Sequence, residues 1–190
     1  MGNVIKLDGF SISNDFTTDY RGKGKFAEED FISYFNSNPK NKTKTLIDVR
    51  ENIDFQKIDV DFVIDNNGTS NDITIDDVLD DRKRFVKIEV KYNGPALKTN
   101  KIAFELISHS KLGWGAFSEC DYMYVVFGEE TENNLYVVKK RGIIDFKKWK
   151  EFIQDKKNKR EIYENQKENI ICNIMTYLDD MEKEKVIVFI

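Results

Sequence analysis

Five charged residues carry the strongest chemical signal in this chain: Asp59, Asp61, Glu89, Lys91 and Glu105. Three separate runs hold them, IDVDFVID (58–65), RFVKIEVKY (84–92) and IAFELIS (102–108), and each run alternates apolar and polar residues. A period of two is the strand signature, because successive side chains leave opposite faces. Asp59 and Asp61 then share one face of the first run, Glu89 and Lys91 one face of the second, and Glu105 a polar-facing position of the third. If the three strands are neighbours, the carboxylates converge, and such a cluster is unfavourable unless a cation neutralises it. Oxygen-only donors without histidine or cysteine suit Mg²⁺ or Mn²⁺. A divalent ion held there can activate water and stabilise charge on phosphate oxygens. The lysine could orient or deprotonate the attacking water. The bland alternative is a solvated strand face with a cross-strand ion pair, the usual meaning of a single E-x-K in a chain with 34% charged residues.

Positioning those groups requires a sheet and something to cover it. FAEEDFISYFNS (26–37) puts Phe31, Ile32 and Phe35 on one helical face, and Asn38-Pro39 ends the run. Residues 1–23 read as irregular. Residues 45–50 form a short strand, and TIDDVLDD offers a helical turn inside an acidic connection. YMYVVF (122–127) lacks alternation, as a central strand buried on both faces does. NLYVVKK (134–140) is a further strand. Asp145 is the expected N-cap of a helix reaching about residue 157. A second helix is expected over about 160–182, with Ile170, Ile171, Ile174 and Met175 as an apolar stripe read as core, and VIVFI closes the chain as a strand. The fold class is α/β (α+β), a mixed β-sheet flanked by helices, in one domain over 1–190 with its core at about 22–158 and a C-terminal helical extension at about 159–190.

Asp61 followed by Glu89-Val90-Lys91 inside an apolar strand resembles the PD-(D/E)xK nuclease superfamily, with its restriction-endonuclease-like αβββαβ core. The resemblance extends upstream to Lys23-Gly24-Lys25-Phe26-Ala27-Glu28, where resolvase-like members carry a metal-assisting helix glutamate. Downstream, T-N-K-I-A-F-E-L-I-S, then G-W and C-D-Y-M-Y-V, is similar to phage-encoded members. It covers about residues 22–127, and Val60 stands where many members have proline. The resemblance implies a Mg²⁺- or Mn²⁺-dependent nuclease acting on DNA. In that reading Asp61 and Glu89, with the Val90 carbonyl, hold metal, Lys91 positions water, and Glu105, Glu28 and Asp59 assist. Asp61 is preferred over Asp59 because an apolar run, Phe62-Val63-Ile64, follows it. A resolvase-like member would be a homodimer, since two cuts need two sites. A binding protein that has lost cleavage on the same fold is the rival expectation. A third reading, a structural protein with a chance E-x-K, expects Asp61 and Glu89 to lie apart.

The remaining features set bounds. Hydrophobic residues at 40% and aromatics at 13% describe a chain able to bury a core. A net charge of −4 argues against a general DNA-coating protein, so nucleic acid would be held by local lysines: Lys98, Lys101 and Lys111, or the basic stretch 139–160. No run is apolar enough for a membrane span or signal peptide, and Lys6 breaks a myristoylation pattern, so the expected location is cytoplasmic. Cys120 and Cys172 have no CxxC partner and read as buried hydrophobes; with His109 the only histidine, zinc is not expected. His109 reads as a loop residue, and Trp114, between two glycines, as a packing anchor under a turn.

Overall fold

The structure is a computed structural model, and it describes residues 5–7, 10–12, 19–68, 73–108, 111–130, 136–155, 157–158, 160–165 and 171–190. His109 and Ile170 lie outside the described residues. In chain order the strands are β1 (Ile5–Leu7), β2 (Phe10–Ile12), β3 (Thr45–Asp48), β4 (Phe62–Asp65), β5 (Phe85–Tyr92), β6 (Lys101–Ser108), β7 (Lys111–Leu112), β8 (Tyr122–Glu130), β9 (Tyr136–Asp145), β10 (Arg160–Asn165), β11 (Ile171–Tyr177) and β12 (Ile187–Phe189). The helices are α1 (Asp19–Ser37), α2 (Ile53–Gln56), α3 (Ile75–Asp80), α4 (Ala96–Thr99), α5 (Trp114–Phe117), α6 (Phe146–Gln154) and α7 (Leu178–Lys183).

A six-stranded mixed sheet of order β12-β9-β8-β5-β4-β3 organises the molecule. All its pairings are antiparallel except β5 with β8, which run parallel. A parallel pair needs a long crossover, and here residues 93–121 supply it. That crossover contains β6, which joins a second, four-stranded sheet of order β10-β11-β6-β7. Helix α1 covers one face of the main sheet, where Ala27 and Phe31 pack on Phe62, Ile88, Val90, Tyr124 and Val126. The other face meets α6 and the second sheet through Val63, Met123, Val125, Phe104, Ile174, Phe146 and Trp149. Phe104 stacks on Trp149 at a centroid distance of 4.0 Å. Met123–Phe127 of β8 are buried on both faces, in keeping with the absence of alternation there. Asp145 caps α6 by accepting the Lys148 N–H, and both cysteines are buried thiols. Among the described residues no helix is long and apolar enough to cross a membrane.

Four expectations are corrected. Residues 160–182 do not form one helix: β10 and β11 pair antiparallel, and among the described residues of this stretch only those from Leu178 onward are helical, in α7 (Leu178–Lys183). Ile171, Ile174 and Met175 of the expected stripe lie on a strand flanked by β10 and β6, which buries consecutive positions such as Ile174 and Met175. Helix α1 begins at Asp19, so Glu28 lies in its interior, away from the N-terminal dipole. The first alternating run is a strand only from Phe62; Asp59 sits in a turn with φ 54°, so Asp59 and Asp61 do not share one strand face. Finally, β6 pairs with β11 and β7 and is not a neighbour of β4 or β5.

Candidate active site

Asp61 stands at the start of β4, stitched on both sides. Its N–H donates to the Ile88 carbonyl (3.0 Å) and its carbonyl accepts from Val49 N–H (3.1 Å). Its carboxylate Oδ2 accepts the Val90 N–H at 2.9 Å, so the side chain continues the β4–β5 ladder where main-chain pairing stops. Glu89 and Lys91 project from β5 on the face opposite Ile88 and Val90, toward the second sheet. Lys91 Nζ pairs with Glu89 Oε1, lies 3.7 Å from Asp59 Oδ1, and sits 5.0 Å from the ring centroid of Trp114.

These groups line one recess of about 450 Å³, together with Lys23, Gly24 and Glu28 of α1, Tyr92 of β5, and Ile102 and Ala103 of β6. Asp59, Asp61, Glu89, Val90, Lys91 and Glu28 are thus brought together. Glu28 is held by Arg50 Nη1, and Arg50 also binds Asp48 and lies over the Phe62 ring, 4.9 Å from its centroid. An adjoining cleft of about 600 Å³, lined by Lys25, Asp48, Arg50 and Asn52, shares Gly24 and Glu28 with the recess.

Glu105 is not among the residues that line the recess. It lies two residues beyond Ala103 on β6, where Gly113 and Gly115 press on its backbone: a Cβ on Gly113 would stand 2.5 Å from the Glu105 carbonyl oxygen. The lysines do not gather into one patch. Lys98 pairs with Glu129 (3.1 Å), and Lys101 with Glu161 (2.8 Å) while lying over Tyr177. Exposed Lys111 pairs at the far end of β6, roughly 24 Å from Lys101 at the usual rise per strand residue. The basic stretch is dispersed too: Lys139 pairs with Glu129, Arg141 with Asp30, and Lys150 donates to the Ser118 carbonyl.

Burial dominates the electrostatics. It raises the Asp61 carboxyl from its ordinary 3.8 to about 6, helped by Glu28 and Asp59 and opposed by Lys91 and the Val90 N–H. Burial pushes Glu89 well above the usual carboxylate range, with Asp61 and Asp59 adding to the shift. For Lys91 burial works against the charge, but Glu89 and Asp59 outweigh it and hold the ammonium charged. Two oxygens in the recess, Glu89 Oε2 and Asp59 Oδ2, are buried without a hydrogen-bond partner. Such orphaned acceptors are rare and costly. A hard divalent cation is the ligand that an all-oxygen donor set of this kind fits. Among the described residues, however, no three carboxylate, histidine or cysteine side chains already stand at metal-ligand spacing. Lys91, between Glu89 and Asp59, supplies the positive charge in their place.

Arg50, Trp114, Tyr92 and Ser118 were not singled out for this site from sequence. Trp114 alone left a trace, its glycine neighbours, which allow the close approach to β6 that puts the ring over Lys91. Comparison with family models, curated proteins and solved structures gives no match for the chain.

Proposed function

We propose that this chain is a metal-dependent phosphodiesterase acting on nucleic acid, with DNA as the expected substrate. The observation that carries the reading is the convergence of Asp61, Glu89 and Lys91 in one recess with two buried, unpartnered carboxylate oxygens. Part of the topology is in keeping with it: α1 precedes antiparallel β3-β4-β5, and β8 runs parallel with β5, although the crossover between them carries β6 and β7 and only the short helices α4 and α5. Asp61 and Glu89, with the Val90 carbonyl and Asp59, would hold Mg²⁺ or Mn²⁺. The ion, when bound, supplies Lewis-acid stabilisation of phosphate charge and a more acidic water. Lys91 holds a proton at Nζ and donates hydrogen bonds toward a water or phosphate oxygen in the recess. Glu28, anchored by Arg50, contributes negative charge beside Asp61. Ile102, Ala103 and Trp114 wall the recess.

One observation favours a second reading, a binding protein on the same scaffold. Lys91 already balances Glu89 and Asp59, so the cluster can persist without a cation. Calorimetric titration with Mn²⁺ and cleavage assays on DNA and RNA separate the two. The nuclease reading expects Mn²⁺ binding, Mn²⁺-dependent cleavage, and at least a hundredfold loss in Lys91→Ala. Equal activity in that variant rejects this site, and absent Mn²⁺ binding favours the binding protein.

A further inference from the structure

Asp59 is one of three non-glycine residues with positive φ among the described residues (54°). Side-chain crowding makes that conformation unfavourable for an L-residue, and it persists where the surroundings over-determine it. The surroundings here are specific. Ser118, fully buried, donates its hydroxyl to the Asp59 carbonyl (3.2 Å) and accepts the Cys120 N–H (3.3 Å). The Glu119 N–H donates to the neighbouring Ile58 carbonyl (3.0 Å). From outside, Lys150 Nζ donates to the Ser118 carbonyl (2.9 Å). Ser118 also closes α5 by donating its N–H to the Trp114 carbonyl (2.9 Å), so the segment that pins Asp59 also carries the ring over Lys91. What the strained turn delivers is a carboxylate in the recess with one oxygen near Lys91 and the other without a partner.

We infer that Ser118 is a positioning residue for the cation site, pinning the left-handed Asp59 turn so that the Asp59 carboxylate serves as a ligand in the recess. This inference rests on the phosphodiesterase reading above and extends it to residues outside the recess. Ser118 acts only through Asp59, and Lys150 acts through Ser118. A serine placed for packing alone would stabilise the fold without altering cation affinity.

The test is a double-mutant cycle read as Mn²⁺ affinity by calorimetry, with thermal melts of each metal-free protein as the fold control. Asp59→Gly keeps the turn, since glycine adopts positive φ freely; it is expected to melt no lower than wild type and to bind Mn²⁺ at least tenfold more weakly. Ser118→Ala is expected to weaken Mn²⁺ about fivefold to tenfold. In the Asp59→Gly background the same change should have no further effect, because its route is gone. If Ser118→Ala does not fold, Lys150→Met loosens the clamp from the surface, with about a threefold loss expected in wild type and none in Asp59→Gly. Mn²⁺ affinity unchanged by loosening the clamp, or losses that multiply in the double variant, overturn the inference while leaving the phosphodiesterase reading in place. A wild-type protein that binds no Mn²⁺ and cleaves no nucleic acid overturns both.

Discussion

Replacing Asp61 by asparagine should make the metal-free protein more stable. In the folded chain burial holds the Asp61 carboxyl at about 6, against 3.8 ordinarily. Between those values the unfolded chain has released its proton and the folded one has not, so folding stability falls as pH rises through the window and stays low above about 6. At ~1.36 kcal/mol per pH unit the loss is about 3 kcal/mol. Asparagine carries no charge to bury, and its carbonyl can still accept the Val90 N–H. In a chain of this size ~1 kcal/mol corresponds to about 2–4 °C, so Asp61→Asn should melt about 6–12 °C above wild type at pH 8 in a chelator. The two should converge near pH 4. Mn²⁺ reverses the ranking: at about 1,000 times its Kd it stabilises wild type by ~4.1 kcal/mol and leaves the variant unmoved. Melts followed by intrinsic fluorescence across pH 4–8, with chelator and with Mn²⁺, read all of this. If Asp61→Asn melts at or below wild type at pH 8 in chelator, the buried-charge reasoning is refuted.

Two further predictions concern the scaffold. Asp65 is fully buried on β4 and accepts two hydrogen bonds from Arg84 (3.0 and 2.9 Å); Arg84→Met should cost about 3 kcal/mol, read as a lower urea midpoint, because it strands a buried charge. Phe104→Ala should cost about 3–5 kcal/mol by the same measurement, since it empties a fully buried position stacked on Trp149, and it should shift the tryptophan emission as well.

How legible this molecule was in its residues depended on which pattern they had to satisfy. Alternation located β5 and gave Glu89 and Lys91 the right face, because β5 has a core on one side and the recess on the other. The same pattern misread Asp59, since I-D-V-D continues the alternation through a turn whose shape is fixed by Ser118 and Glu119, far away in sequence. Alternation in 102–108 announced a strand but could not name its partner, and so Glu105 was drawn toward a sheet it does not join. Residues 1–23 read as irregular and the helix as starting at Phe26, yet α1 begins at Asp19 and runs through Gly22 and Gly24. Residues 171–175 suggested a helical stripe because a strand flanked on both edges buries neighbouring positions much as a helix core does.

The pairing of β6 with β11 has a consequence for the order in which the molecule is built. The wall of the recess lies in the crossover, near residues 102–114, but the strand that secures it arrives only at Ile171–Tyr177. On the ribosome, Asp61, Glu89 and Lys91 emerge long before that strand, so the charged face of β5 is uncovered while the main sheet forms. Closure of a contact so distant in sequence is slow. A nascent chain therefore completes the recess among its last folding steps, and a chain stopped near residue 158 would carry the charged cluster and its wall without the strand that secures that wall.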